Sequence, residues 1–266
     1  MAMAIIHFHY RSTALWRTVP VEVILPIDKW QNKETTLKRD KFKTLYLLHG
    51  LHGECTDWMS YSRIRRWAEA KSLAVVMPSG DNSFYADRPD AKANYGEFLG
   101  KELVEVTRAM LPLSDKREDT FIGGLSMGGY GALRTGLKYH ETFGAIIALS
   151  SAFKQFETEE ISFREYRETC FGPLEAAAKT DKNPTVLMEA LEKDDRKPAV
   201  YLACGLQDEL LPWNRLYQEL LVKYGFDSIY EEWEGDHNWE FWDEGIRKAI
   251  DWLPLDDVQE QQVLQR

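Results

Sequence analysis

From about residue 44 onward, short apolar and β-branched runs alternate with longer amphipathic stretches, and this alternation limits the fold more than any other feature of the chain. A helix between two strands returns the chain to its starting edge, so successive strands run parallel and helices cover both faces of the sheet. The runs predict strands at Ile5–Tyr10, Val19–Leu25, Thr44–Leu48, Leu73–Met77, Thr120–Ile122, Gly144–Leu149, Ala199–Ala203 and Ser228–Trp233. Helices are predicted at Ile64–Lys71, Glu97–Met110, Gly129–Tyr139, Trp213–Tyr224 and Glu240–Trp252. No helical stretch separates the first two strands, which predicts an antiparallel pair at one edge. The expected class is α/β, a mostly parallel eight-stranded sheet flanked by helices.

A chain of 266 residues fits one α/β domain, since such domains commonly reach about 250. The expected organisation is a single domain over 1–255 with a polar C-terminal tail at 256–266. Between Ser150 and about Asn183 the alternation stops, and Phe153, Phe156, Phe163, Tyr166 and Phe171 stand among many charges. An inserted, cap-like segment at 151–183 is expected there, either a surface excursion held by aromatic anchors or a cap beside a pocket.

Charge and cysteine usage exclude several classes. Lys plus Arg number 33 against 43 Asp plus Glu, a net charge of −10 that repels phosphate backbones and argues against nucleic acid as a partner. Cys55, Cys170 and Cys204 are far apart and odd in number, so neither a disulfide framework nor a zinc site is expected. The N-terminus lacks the basic start and apolar core of a secretory signal, and no stretch approaches the ~20 apolar residues of a membrane span. These features lead us to expect a cytoplasmic protein without a membrane partner, its state of homo-oligomerisation left open.

The chemistry is concentrated in Thr120-Phe-Ile-Gly-Gly-Leu-Ser-Met-Gly-Gly-Tyr-Gly-Ala-Leu133. Here a β-run leads through Gly124-Leu125-Ser126-Met127-Gly128, a G-x-S-x-G pattern, into a helix-compatible stretch. A serine at a sharp strand-to-helix turn needs small neighbours so that strand and helix can approach, and the helix N-terminus behind it favours a developing oxyanion. A glycine-rich structural turn with an incidental serine is the alternative.

A serine hydroxyl is a weak nucleophile and needs a base oriented by a carboxylate. On a sheet of this kind the chain order is Ser, then Asp or Glu, then His. His7, His9, His49 and His52 precede Ser126, and His140 follows its helix too closely, which leaves His237 in the loop after the last strand. The acid is expected after Ala199-Val-Tyr-Leu-Ala-Cys-Gly205, where Asp208 is chosen and Glu209 competes; Asp236 adjoins His237 and reaches its ring poorly. Two backbone N–H groups are expected to bind an oxyanion, that of Met127 and that of Leu51 in the turn Leu47-Leu-His-Gly-Leu-His-Gly53. The second segment also reads as a plain β-to-α turn. Nothing in this chemistry requires a metal or an organic cofactor.

At this point the chain resembles the esterase D-like esterases of the α/β-hydrolase superfamily, and most closely the bacterial tributyrin esterases. The matching pieces are Leu45-Tyr-Leu-Leu-His-Gly50, Val75-Val-Met-Pro78, Asn82-Ser-Phe-Tyr-Ala-Asp87, Arg117-Glu-Asp-Thr-Phe-Ile122 with Gly123 to Ala132, Cys204-Gly-Leu-Gln-Asp208 and His237-Asn-Trp239. The resemblance implies an α/β-hydrolase fold, Ser126, Asp208 and His237 as catalytic residues, and Leu51 and Met127 as oxyanion donors. It also places the Ser83–Asp87 loop, with Tyr85, near the site. Trp58 and Trp239 are candidates to touch a sugar ring or cinnamoyl group, with core or rim packing as the alternative. The implied substrate is a small-molecule ester with a short acyl chain, acetyl to butyryl. An S-formylglutathione-type thioester, an acetyl or cinnamoyl ester of a plant carbohydrate, and a non-catalytic binding module on the same fold are the rivals.

Overall fold

The computed structural model describes residues 2–28, 41–156 and 164–255. Its main sheet has eight strands: β1 (Ala2–Ser12), β2 (Arg17–Asp28), β3 (Thr44–Leu48), β4 (Ala74–Pro78), β7 (Thr120–Leu125), β8 (Ala145–Leu149), β9 (Ala199–Gly205) and β10 (Ser228–Trp233). A two-residue pair, β5 (Asp87–Arg88) and β6 (Ala93–Asn94), forms a separate small hairpin. The main sheet is ordered β1-β2-β4-β3-β7-β8-β9-β10. β1 and β2 pair antiparallel, as do β2 and β4, and the remaining pairs are parallel. All eight predicted strands are present, and the fold is the mostly parallel, helix-flanked sheet of the α/β-hydrolases.

Alternation along each central strand feeds two apolar layers. Leu45 and Leu47 of β3 and Val75 and Met77 of β4 face the helices Ile64–Ala70 and Trp239–Trp252. Tyr46, Leu48, Ala74 and Val76 face the opposite layer, with the helices Met127–Lys138 and Leu211–Lys223. The chain reverses its direction of winding beside β3, which has β4 on one side and β7 on the other. In open α/β sheets a ligand crevice forms outside the carboxyl ends of the strands at such a reversal. Because β3, β7, β9 and β10 are parallel, the loops that follow them all emerge at this one edge.

Some elements differ from expectation. The helix predicted at Glu97–Met110 starts at Tyr95 and has a wider, π-type turn at Phe98–Glu102, where Gly100 lies against the Tyr139 ring. The short helix Asp57–Tyr61 was not predicted. The described part of the expected insertion at 151–183 carries the helices Arg164–Phe171 and Leu174–Ala177, and a third, Pro184–Ala190, follows; none of the three was predicted. The expected tail at 256–266 and the 157–163 part of the insertion lie outside the described residues.

The helix Met127–Lys138 anchors the insertion. Arg134 is fully buried; its guanidinium donates to the Asp181 carboxylate at 2.8 Å, the Asp181 carbonyl at 3.1 Å and Asp87 at 3.0 Å. Lys138 bridges the same two carboxylates at 3.0 and 2.6 Å. Burial by itself would raise the Asp87 pKa, but the Arg134 and Lys138 charges outweigh it and bring it down to about 2. Asp181 is lowered by the same cations against the same burial cost. A depressed carboxyl pKa contributes stability that is complete above the unfolded value of about 3.9 and disappears as pH falls toward the folded one. Arg134→Met should therefore cost about 1–3 kcal/mol at pH 7, because it removes one of the two cations that hold the partly buried Asp87 and Asp181 ionised and leaves Lys138 alone to do so, and progressively less as pH falls from about 4 toward 2. Denaturant titrations of parent and variant across this range check it; a loss independent of pH would contradict it.

Candidate active site

Ser126 lies between the end of β7 and the first turn of the helix Met127–Lys138, with φ 53° and ψ −117°. A non-glycine residue rarely adopts this backbone conformation, and the surroundings hold it there. Its N–H donates to the Leu149 carbonyl at 2.9 Å, and its carbonyl accepts from Ala152 N–H at 3.0 Å. The turn closes because its flanks are glycines: a Cβ on Gly124 would lie 2.5 Å from the Gly128 backbone, and one on Gly128 would lie 2.6 Å from the Leu48 and His49 carbonyl oxygens.

His237 stands just before Asn238, whose side chain caps the last helix by accepting from Phe241 N–H at 3.0 Å. Its Nε2 is 3.0 Å from Ser126 Oγ and its Nδ1 is 2.8 Å from Asp208 Oδ2. An ionised carboxylate only accepts, so Nδ1 carries the proton and Nε2 is left to accept from the serine hydroxyl. The ring also meets Trp242 edge-on at 4.9 Å. The loop bearing Asp208 and the loop bearing His237 are laced together: Gln207 N–H donates to the Gly235 carbonyl at 3.0 Å, and Gln207 Oε1 accepts from Gly235 N–H at 2.7 Å.

Asp208 is buried. Burial would raise its pKa, but the bond and charge of His237 and the Leu210 N–H, 2.8 Å from Oδ1, hold it below the usual carboxylate value. Glu209 is exposed, and Asp236 accepts from the His237 backbone N–H at 2.7 Å, so neither is the ring's partner.

The loop after β3 closes over the serine: a Cβ on Gly50 would come 3.5 Å from Ser126 Cβ. Among the described residues the N–H groups of Leu51 and Met127 have no intramolecular acceptor, the latter being one of the donors that every helix leaves open at its start. His49, which the sequence reading set aside, braces this loop. It is buried, its Nδ1 donates to the Gly50 carbonyl at 2.7 Å and its Nε2 accepts from Gly80 N–H at 2.8 Å. Burial lowers its pKa, which matches this neutral, doubly bonded ring.

Trp58 and Tyr85, expected to touch the substrate, present almost no surface, at 1% and 0% exposed. Trp58 Nε1 donates to the Leu48 carbonyl at 3.0 Å and Tyr85 OH to the His49 carbonyl at 3.0 Å, so they fix the end of β3 from the two opposite layers. Large rings with one polar atom serve this purpose because the carbonyls they meet are buried with them. Trp239 is half-buried, packed against Trp58 and the exposed Tyr61, and keeps a face at the rim. Asn82, also overlooked, joins three parts: its side chain accepts from His52 N–H at 2.7 Å, and its carbonyl from the Tyr166 hydroxyl and the Cys170 thiol of the insertion. Among the described residues no group of three or more His, Cys, Asp or Glu is arranged to hold a metal ion.

A serine, an imidazole and an ionised carboxylate in hydrogen-bonded line, beside open backbone donors, can carry out acyl transfer. Comparison with known proteins agrees. The chain is 41% identical over 262 residues to an acetyl esterase of Caldicellulosiruptor saccharolyticus, covering 94% of this chain and 98% of that protein. The substrate-bound structure of FphF, a fluorophosphonate-binding serine hydrolase of Staphylococcus aureus, superposes with a TM-score of 0.83 at 33% identity, covering 94% of this chain and 98% of that one. The S-formylglutathione hydrolase FrmB of Staphylococcus aureus gives 0.82 at 34% identity, covering 95% and 99%. The family described as "Putative esterase" matches residues 12–253, and the chain belongs to it: this is an α/β-hydrolase serine esterase acting on small acyl esters.

Proposed function

We propose that Ser126 is the nucleophile, His237 the general base and Asp208 its orienting acid, with the Leu51 and Met127 N–H groups as the oxyanion hole. The observation that carries this is the unbroken line from Ser126 Oγ through the imidazole to Asp208, at a strained turn. His237 Nε2 takes the hydroxyl proton as Oγ attacks the ester carbonyl carbon, and the two N–H groups receive the oxyanion. Collapse returns the proton to the departing alkoxide and leaves an acyl-serine. Water, deprotonated by His237, then releases the acid and restores Ser126. Asp208 remains ionised throughout, in keeping with its lowered pKa.

The substrate class we infer is short-chain, acetyl to butyryl, as in tributyrin. The insertion supports this as a cap over the crevice. It mixes its aromatics with charges such as Lys154, Arg164 and Glu165, and its described part rests on the 81–88 loop through Asn82 and Arg88. Each added methylene gains about 0.8 kcal/mol while the pocket has room; beyond that, overfilling displaces the carbonyl from the oxyanion donors. On p-nitrophenyl esters kcat/KM should peak at acetate to butyrate and fall steeply by octanoate. A maximum at decanoate or beyond, or activation at an oil–water interface, would overturn the assignment. The likeness to FrmB favours one second reading, a thioesterase acting on S-formylglutathione. A kcat/KM on that thioester above the best simple ester would select it. The three cysteines are unpaired and buried, which supports a reducing, cytoplasmic setting.

A further inference from the structure

Asn214 lies in the first turn of the helix Leu211–Lys223, fully buried, and outside the line of Ser126, His237 and Asp208. Both polar atoms of its amide are bonded. Oδ1 accepts from Ser151 N–H at 3.0 Å, while Nδ2 donates to the Ser151 carbonyl at 3.1 Å and to the Leu210 carbonyl at 2.9 Å.

Both ends of this bridge lead to reacting groups. Leu210 donates its N–H to Asp208 Oδ1, so the residue held by the amide is the one that holds the acid. Ser151 lies in the stretch Leu149–Ala152, whose ends bond both backbone groups of Ser126. Its side chain is also wedged against the elbow, for a Cβ on Gly129 would lie 2.1 Å from Ser151 Oγ. The residue before it, Ser150, has φ 43°, a left-handed conformation costly for a non-glycine residue, so this stretch needs an external clamp. The loops bearing the nucleophile and the acid leave different strands, β7 and β9, with β8 between them. A carboxamide, with one acceptor and two donors, can bond both the N–H and the carbonyl of a peptide and still reach a second carbonyl.

We propose that Asn214 is a positioning residue that sets the placement of Asp208, and through it His237, relative to Ser126. The proposal rests on the assignment of those three residues made above. Acyl transfer requires the imidazole to meet the serine hydroxyl and the departing alkoxide in turn, and misplacement of about 1 Å can cost up to about a hundredfold in rate. Loss of the amide should therefore appear in kcat rather than in KM.

The test compares four variants of the full chain: Asn214→Leu, Asn214→Ser, Leu221→Ala and Ser126→Ala. Asn214→Leu fills the space without polar atoms. In Asn214→Ser the hydroxyl can still reach the Leu210 carbonyl one turn back but not Ser151, and this variant carries the test if the leucine variant fails to fold. Leu221 is buried on the same helix away from the network, so Leu221→Ala reports what destabilisation alone does. Three quantities are read: kcat and KM on p-nitrophenyl acetate, the melting temperature, and the downfield NMR resonance of the His237 Nδ1 proton, which reports the bond to Asp208.

The Asn214 variants should lose roughly ten- to a hundredfold in kcat with KM within about twofold, and their Nδ1 resonance should shift or broaden. Leu221→Ala should melt lower with kcat and resonance unchanged. Folded Asn214 variants with the parent kcat and resonance would overturn the proposal, as would an equal kcat loss in Leu221→Ala. An active Ser126→Ala would overturn the assignment of the nucleophile, and the positioning role with it. An inactive Ser126→Ala beside fully active Asn214 variants would remove the positioning role alone.

Discussion

Ser126→Ala and His237→Ala should each reduce kcat by several orders of magnitude, and the double variant should be little worse than either single one. The reason lies in the 3.0 Å contact between Oγ and Nε2. A serine without a base is a poor nucleophile at neutral pH, and a base without the serine has only water to activate, so removing either member removes the unit. The residual rate comes from the oxyanion donors and substrate binding, which neither change touches; related constellations retain about 10³- to 10⁴-fold over water. Steady-state rates on p-nitrophenyl acetate, with covalent labelling by a fluorophosphonate probe, check this. Additive losses in the double variant, or labelling that survives Ser126→Ala, would show that the two residues do not act together.

Asp208→Asn should leave the fold intact and still depress kcat by up to about 10⁴-fold. The asparagine keeps the shape and can accept from Leu210 N–H, so little packing is lost. It does not carry the charge that stabilises the imidazolium formed during attack, and its NH2 group can turn toward Nδ1 and force the proton onto Nε2. That tautomer cannot accept from Ser126. Glu209→Gln should be mild, because Glu209 points to solvent while Asp208 is buried against the ring. Circular dichroism and melting curves separate a folded, inactive Asp208→Asn from an unfolded one. A severe Glu209→Gln beside a mild Asp208→Asn would reverse the assignment of the acid.

The parts of this protein that were legible in the amino-acid order are those governed by short range. Strand positions follow from runs such as Leu45-Tyr-Leu-Leu48 and Ala74-Val-Val-Met77, because a strand buried on both faces must be apolar at nearly every position. The elbow follows from Gly124 and Gly128 around Ser126, because the turn itself forbids Cβ atoms there. Chain order left His237 as the candidate base and put Asp208 and Glu209 together after β9, since parallel strands bring their carboxyl ends to one edge; the burial of Asp208 and its bond to the His237 ring appear only in the fold.

What could not be read locally was the use made of rings and amides that bond across the fold. Trp58 was expected at the substrate as an aromatic ring near the site and Tyr85 through the family resemblance; their places in the two layers that flank β3 depend on the buried carbonyls of Leu48 and His49, whose need for donors appears only once the sheet has formed. His49 was eliminated as a base by its position in the chain, and nothing local marked it as the brace of the loop after β3. The insertion showed its aromatics but not its tether, since Arg134, Asp87 and Asp181 belong to three distant segments. Asn214 carries no local signal at all, because its partners are backbone groups of Ser151 and Leu210, and a backbone group has the same chemistry in every residue. Sequence patterns encode periodicity and steric permission along the chain, whereas the satisfaction of buried donors and acceptors is a property of the closed interior, where leaving one unpaired costs about 1–3 kcal/mol.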